Sequence, residues 1–412
     1  MSVRKREWTT DRGEKKSAWI CDYVDTLGVR RQKTFNLKKE ADKFAATASV
    51  EVREGIHVAD SASATVLQAA EFWLASGKQA NLERATLTQY EAHVRLHIGP
   101  LIGTTLLSKL SVPLVRAFED KLRETGRSQV MVKKLLVSLG SILADAQERG
   151  LTTRNVVREK SRGRKKGNDS RNEKRQKGKL KIGVDIPHRD EIKAIIAVLE
   201  GRWRALMLTV IFTGLRCSEL RGLRWQDVNL DQREIHVRQR ADRYGDIGEP
   251  KSDAGTRTVP IGPMVVNALK EWRLSCPKKL TGKQDAEGRP IRALDLVFPN
   301  GNGNVENHSN IRRRGVIPLQ IAAGVTIETE DLDEDGNPVL DAKYPGIHSF
   351  RHFYASWLIN RPADGGLGLP AKVVQERLGH SSIVMTMDRY GHLFPRGDDA
   401  EEVAAAERTL FT

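Results

Sequence analysis

Cysteine is scarce in this sequence. Cys21, Cys217 and Cys276 are the only three, far apart and never in a Cys-x-x-Cys pair. That excludes a disulfide scaffold and a thiolate zinc site, and it suits a reducing interior. Aromatic residues supply only 6% and hydrophobic residues 39% of the 412 positions. No stretch comes near the ~20 consecutive apolar residues of a membrane-spanning helix. The most apolar run, Ala205 to Leu215, is closed on both sides by Arg204 and Arg216. Met1 to Asp11 is charged and has no apolar centre, so a secretory leader is not expected. No Gly-rich loop ends in Gly-Lys-Ser/Thr, which leaves no nucleotide-triphosphate cradle. At this length the chain has room for two or three domains, each able to bury a core.

What is present is positive charge, unevenly placed. Lys and Arg number 68 against 53 Asp and Glu, a net of +15. From Arg158 to Lys181, twelve basic residues face Glu159, Asp169 and Glu173, so 24 residues carry a net of +9. This stretch, including Arg164, Lys165 and Lys166, has almost nothing apolar before Leu180 and cannot bury enough surface to fold alone. It reads as an interdomain linker (158–183), either a solvated tether or a basic strap against phosphates. Glu328 to Asp341 is the opposite, crowded with Glu330, Asp331, Asp333, Glu334 and Asp335. It lacks the central Gly and closing Glu of a calcium loop, so an acidic hairpin or insertion is expected.

The pattern on either side of the linker predicts a multidomain, mainly α protein. Residues 1–58 read as a small β-plus-helix domain: Trp19 to Val24, a turn at Asp25 to Gly28, Val29 to Phe35, then a helix from about Leu37 to Glu54. Arg30, Arg31 and Lys33 on its second strand fit either a β-sheet reader of DNA or a solvated strand face. Residues 64–157 show only helical spacing, with Val66, Ala69, Ala70, Trp73 and Leu74, and later Val132, Leu135, Leu136, Leu139 and Ile142. Residues 184–395 read as an α+β domain. Helices are expected over Pro187–Leu199 and Trp203–Phe212, and short strands over Arg233–Gln239 and Thr256–Ile261. Further helices are expected at Pro263, around His348, at Pro370 and near Val384. Residues 396–412 form a tail with a short Ala-rich helix.

Chemistry concentrates in this α+β domain. His348, Arg351 and His352 stand at i, i+3 and i+4 and share one helix face, while Phe350, Phe353, Tyr354, Trp357 and Leu358 cover the rest. The residue after His348 is Ser349, where a zincin needs Glu, so a metal pair is set aside. An imidazole beside a guanidinium suits an anion, because Arg offers a bidentate fork to phosphate oxygens. Thr213-Gly-Leu-Arg216-Cys-Ser-Glu219-Leu places a second Arg after a helix-breaking Gly, with Glu219 one turn on to hold it. Leu378-Gly-His380 ends another helix, and Asp388-Arg389-Tyr390-Gly-His392 follows ten residues later.

TGLRCSEL, Lys251 between the two predicted strands, HSFRH, LGHSS and MDRYGH, in this order, resemble the tyrosine recombinases of phage-integrase type. The resemblance spans about residues 185–395. It implies a tyrosine-recombinase catalytic domain preceded by a helical, SAM-like core-binding domain. Residues 1–58 look like the arm-type DNA-binding module of integrases carried by prophages and genomic islands.

By that resemblance Tyr390 attacks the scissile phosphate, giving a 3′-phosphotyrosine and a free 5′-hydroxyl, with no ATP, metal or other cofactor. Arg216 and Arg351 bracket the non-bridging oxygens, and Lys251 protonates the leaving oxygen. Lys278, Lys279 and Lys283 lie further on, but not between the strands. His348 acts as acid/base toward the tyrosine hydroxyl, His380 donates to the phosphate, and Glu219 positions its neighbours. His352 and His392 are read either as supporting the groups that touch the phosphate or as structural, and Tyr344 and Tyr354 as packing residues. The implied partners are double-stranded DNA at attachment sites, three further copies in a homotetramer, and accessory DNA-bending and directionality proteins, in a bacterial cytoplasm. A type IB-like topoisomerase and a catalytically idle DNA-binding regulator are the alternatives.

Overall fold

Ala18, Ile20, Cys21 and Tyr23 are buried in the strand Lys15–Val24, which lies at the centre of its sheet with a partner strand along each edge. The computed structural model describes residues 1–412 except 12, 26–27, 55–58, 60–61, 163–178, 286, 396–398 and 412. The chain divides into two compact units, residues 1–166 and 167–412.

In the first unit, β1 (Ser2–Thr9), β2 (Lys15–Val24) and β3 (Arg30–Phe35) form an antiparallel sheet in the order β1-β2-β3. The sequence reading had only the last two strands. β1 is charged at four of its eight positions and shows no apolar alternation, so nothing in its pattern marks a strand; pairing with β2 makes it one. Helix α1 (Lys38–Arg53) lies on the sheet through Phe44, which meets Tyr23 at 5.5 Å and Phe35 at 5.3 Å between ring centroids.

The helices that follow enclose a separate core of Val66, Ala69, Phe118, Leu135, Leu139 and Ile142. They are α2 (Val66–Gln79), α3 (Arg84–His93), α4 (Gly99–Ile102), α5 (Val112–Glu124), α6 (Gln129–Glu148) and α7 (Val156–Arg162). Thr65 and Gln68 close a reciprocal cap at the start of α2, with bonds of 2.8 and 3.2 Å. Each fully buried Leu or Ile in such a core contributes roughly 1.5–3 kcal/mol. The first residues of the segment expected as linker, from Arg158, belong instead to α7, which carries helix through Arg162. Arg164, Lys165 and Lys166 lie outside the described residues.

The second unit is built around one helix. α8 (Arg189–Ala197) leads into α9 (Gly201–Thr213), whose residues Ala205 to Ile211 are all buried. A helix apolar all round belongs at the centre of a domain, and α9 packs on helices from both sides. After α10 (Cys217–Gly222), the strands β4 (Val228–Asn229), β5 (Glu234–Val237) and β8 (Arg257–Pro260) pair antiparallel as β4-β5-β8. A small hairpin of β6 (Arg240–Ala241) and β7 (Ile247–Gly248) lies between β5 and β8 in sequence. α11 (Pro263–Ser275) is followed by an exposed hairpin, β9 (Lys279–Gln284) with β10 (Pro290–Ala293), which sequence reading did not anticipate.

Beyond α12 (His308–Ile311) and α13 (Ile317–Ala322), the acidic stretch forms the hairpin β11 (Thr326–Leu332) and β12 (Pro338–Ala342). The last helices are α14 (Ile347–Ile359), α15 (Ala371–Leu378), α16 (Ile383–Tyr390) and α17 (Asp399–Leu410). Leu410 and Phe411 at the end of the chain are exposed. Among the described residues no helix is long and apolar enough to cross a membrane.

Candidate active site

The site is assembled where α9, α14 and α15 end or meet. α9 stops at Gly214, whose φ of +59° is the left-handed conformation that ends helices. A Cβ at Gly214 would stand 2.5 Å from Cδ1 of Tyr354, so only glycine allows the close approach of α14. The chain then turns at Arg216 into α10. α15 ends in the same way at Gly379, with φ of +63°, and delivers His380.

Two arginines are fixed by the carbonyls these helix ends leave open. Arg351, 1% exposed on α14, donates to the Gly214 carbonyl at 2.6 Å and to the Leu378 carbonyl. Arg216 donates to the Gly379 carbonyl at 2.8 Å and to Glu219 Oε1 at 2.7 Å. Cations at a helix C-terminus are favoured by its unpaired carbonyls. Each guanidinium has five N–H donors, so two such bonds fix its plane and leave donors for a ligand. The Arg216 side chain is 35% exposed, so part of that fork faces solvent.

Glu219 is the counter-charge. Buried in the first turn of α10, it accepts from the Arg216 main-chain N–H at 2.9 Å and from Arg257 at 2.9 and 3.1 Å. Burial alone pushes its pKa up, but Arg257, Arg216 and Arg351 outweigh it and hold the carboxyl at about 2. Arg257 was not anticipated. It opens β8, has a side chain only 6% exposed, and also donates to the Arg377 carbonyl at 2.8 Å, tying strand to α15. No local sequence signal separates it from an ordinary strand arginine. Burial, with Arg216 next, pulls the pKa of Arg351 down to about 9. Three guanidiniums therefore crowd one carboxylate, and the site has buried positive charge in excess.

The histidines and the tyrosine complete it. His380 is buried, with Nδ1 2.9 Å from Thr386 Oγ1. Burial and then Arg351 and Arg216 drive its pKa down to about 3. His348 has one side open to solvent, while the protein packed against the rest of it and the charges of Arg351, Arg389 and Arg216 hold its pKa near 4. Tyr390, at the end of α16, is 1% exposed, and its ring lies nearly parallel to that of His380 at 6.2 Å. Burial raises the Tyr390 pKa, with Arg351, Arg389 and Arg216 opposing the rise.

Arg216, Glu219, Arg351, His380 and Tyr390 are thus brought together. His348 is close, its ring 4.5 Å from that of His352, but the group against the Tyr390 hydroxyl is His352, with Nδ1 at 2.7 Å. Lys251 occupies the exposed turn ahead of β8. Tyr344 gives its hydroxyl to Glu191 at 2.7 Å, and Tyr354 packs over Gly214, so both are engaged in the fold. His392 reaches the Leu180 carbonyl at 2.7 Å. No cluster of three or more His, Cys, Asp or Glu able to hold a metal ion occurs among the described residues.

Residues 188–396, half of the chain and the whole of this site, match the phage integrase family. The chain belongs to that family. It is a tyrosine-type site-specific DNA recombinase, as the motif order implied. This integrase-family chain is 27% identical over 386 residues to a tyrosine recombinase XerC-like protein of Caldanaerobacter subterraneus subsp. tengcongensis, covering 89% of each. Its fold is similar to that of the Tn1549 transposon integrase solved with a circular intermediate DNA. There the TM-score is 0.59 and identity 18%, over 84% of this chain and all of that one. It is also similar to lambda integrase solved as a tetramer on a Holliday junction, with a TM-score of 0.51 and 14% identity over 91% and 95% of the chains.

The integrase sheet corrects one grouping. Arg30, Arg31 and Lys33 do not share a face. Arg31 pairs with buried Asp25 at 2.8 Å, and Lys33 lies over the Phe44 ring at 4.5 Å, both on the α1 side. Arg30 is on the opposite face. By the register, that face also carries Arg4, Arg6 and Lys16 from β1 and β2. Side chains alternate along a strand, so neighbouring basic residues cannot act together.

Proposed function

We propose that this recombinase inserts and excises a mobile DNA element by cutting and rejoining two duplexes at attachment sites, with Tyr390 as the nucleophile. Excess charge supports the reading most directly: Arg216, Arg257 and Arg351 surround a single carboxylate, Glu219, in a buried setting. An entering phosphodiester relieves that excess, and the pentavalent transition state, with its greater negative charge, relieves it further. Preorganised donors in a site of low polarity are the strongest form of transition-state stabilisation.

In this scheme Arg216 and Arg351 grip the non-bridging oxygens, and Glu219 with Arg257 holds Arg216 in place. His380 and His348 donate to the phosphate. Lys251 comes in on its turn to protonate the departing 5′ oxygen. The phosphotyrosine keeps the energy of the broken bond, so rejoining needs no nucleotide.

DNA is held outside the site by the outer face of the amino-terminal sheet through Arg4, Arg6, Lys16 and Arg30, with the helical segment and the basic linker contributing. The working form is a homotetramer on DNA, assisted by bending and directionality proteins in a bacterial cytoplasm. The Holliday-junction tetramer of lambda integrase, similar in fold, supports the assembly. The origin of the Tn1549 integrase in a transposon supports the mobile element.

Covalent trapping tests the reading. Fragmented genomic DNA from the source organism is incubated with wild type or Tyr390→Phe in EDTA and quenched with detergent, and the linked fragments are sequenced. Adducts at one locus with wild type alone are expected. Tight, salt-sensitive binding without adducts points instead to an idle regulator, and cleavage without exchange between two duplexes points to a topoisomerase.

A further inference from the structure

We infer that His352, rather than His348, takes the proton from the Tyr390 hydroxyl as that oxygen attacks phosphorus, and returns it when the strand is resealed. The inference rests on Tyr390 being the nucleophile. Its basis is geometric. Among the described residues, the hydrogen bond recorded for the Tyr390 hydroxyl is to His352 Nδ1, at 2.7 Å, with both residues buried. Heavy-atom separations of about 2.6–3.2 Å are what proton transfer to a general base requires. His352 is well anchored, because α14 is buried along its length through Phe350, Tyr354, Ala355 and Leu358. His348, one turn earlier, meets the edge of the His352 ring and stands at the solvent side, where it can face a phosphate.

The proposal requires one tautomer. Nδ1 can take the phenol proton only if it holds a lone pair, so the reactive form of His352 carries its own proton on Nε2. In cleavage the Oη–H bond breaks and the proton passes to Nδ1. Oη bonds to phosphorus, and the 5′ oxygen leaves with a proton from Lys251. Resealing reverses each transfer, so protons balance and no oxidant or reductant is involved.

The surroundings explain why such a base stays idle without DNA. Burial, then His348, Arg389, Arg351 and His380, hold the His352 pKa near 3. The groups around it come from its own helix, from α16 and from the turn at His380, and all but Tyr390 are basic. A phosphodiester placed among them supplies the missing negative charge, so basicity rises as DNA binds. The nucleophile is therefore activated by the substrate it attacks.

The test uses the full chain and a nicked duplex carrying the locus recovered by trapping, cleaved under single-turnover conditions. His352→Ala should slow cleavage by about 100-fold or more, a usual size for loss of a general base, with DNA affinity little changed. Its rate should climb with pH as hydroxide replaces the base. His352→Asn places Oδ1 where Nδ1 stood, so it holds the phenol without accepting its proton, and it should stay slow. A 5′-bridging sulfur, which leaves without a proton, should restore Lys251→Ala but not His352→Ala.

Near-wild-type cleavage by His352→Asn would overturn the proton-transfer role and leave a positioning contact. Cleavage by His352→Ala within fivefold of wild type would overturn the proposal outright. Should the alanine variant fail to fold, the asparagine variant decides. A wild type that forms no adduct refutes the nucleophile itself, a failure seen before any His352 variant is compared.

Discussion

The two units use arginine in opposite ways. On the amino-terminal sheet, Arg4, Arg6 and Arg30 stand on an open face, and the Arg4–Asp22 pair at 2.9 Å is solvent-exposed. In the second unit Arg351 is 1% exposed and bonded to two carbonyls, and the side chain of Arg257 is 6% exposed. Exposed charges are screened by salt and contribute separately, a fraction of a kcal/mol to about 1 kcal/mol each. Buried ones act at low dielectric and cannot be removed without stranding their partners. In the proposed scheme the surface arginines set how long DNA stays, whereas the buried ones decide whether it is cut.

The largest break in that contrast is Arg351→Ala. Single-turnover cleavage should fall by roughly 10²–10³-fold, the size of losing one oxyanion donor, while gel-shift affinity changes little. Loss of binding equal to loss of rate would erase the difference between the units.

Glu219→Gln comes next, and its effect is on stability. The folded pKa of about 2 lies below the ordinary 4.5, so the ionised carboxylate stabilises the fold above about pH 5. That contribution is lost as pH falls from the unfolded value toward 2. Denaturant titration should show the variant roughly 3 kcal/mol weaker at pH 7 and much closer to wild type near pH 2. A constant difference across that range would show that Glu219 acts by packing alone.

The smallest effects belong to the sheet. Arg6→Ala and Arg30→Ala should each weaken DNA binding a few-fold and lower the salt dependence by about one unit of slope. Arg31→Ala should leave that slope unchanged and lower the melting temperature instead, since its partner is Asp25. Identical salt slopes for Arg30→Ala and Arg31→Ala would contradict the two-faced sheet.

Much of the catalytic half was legible because its signals are local. Gly214 and Gly379 mark helix ends with Arg216 and His380 just beyond them, and Arg351 stands one turn from His348 on α14. What escaped was long-range. Arg257 comes to Glu219 from a strand 38 residues further along the chain, and no spacing predicts that. His352 was visible on the right helix face, but its contact with Tyr390 depends on where α16 returns. β1 carries no alternation to read. Arg30 and Arg31 are a different case: as neighbours on one strand they had to face opposite ways, and period-two logic alone would have separated them.

The arginine anchors bear on how this protein tolerates change. The acceptors at Gly214, Leu378 and Gly379 are main-chain oxygens, which no substitution deletes. Genetic drift can therefore remove them only by bending the backbone, and constraint passes from the acceptor's side chain to the residue that permits the bend. In a saturation library scored by recombination, positions 214 and 379 should accept nothing but glycine, while position 378 takes other apolar residues freely. Two residues without side chains would then rank with Tyr390, the proposed nucleophile, in intolerance.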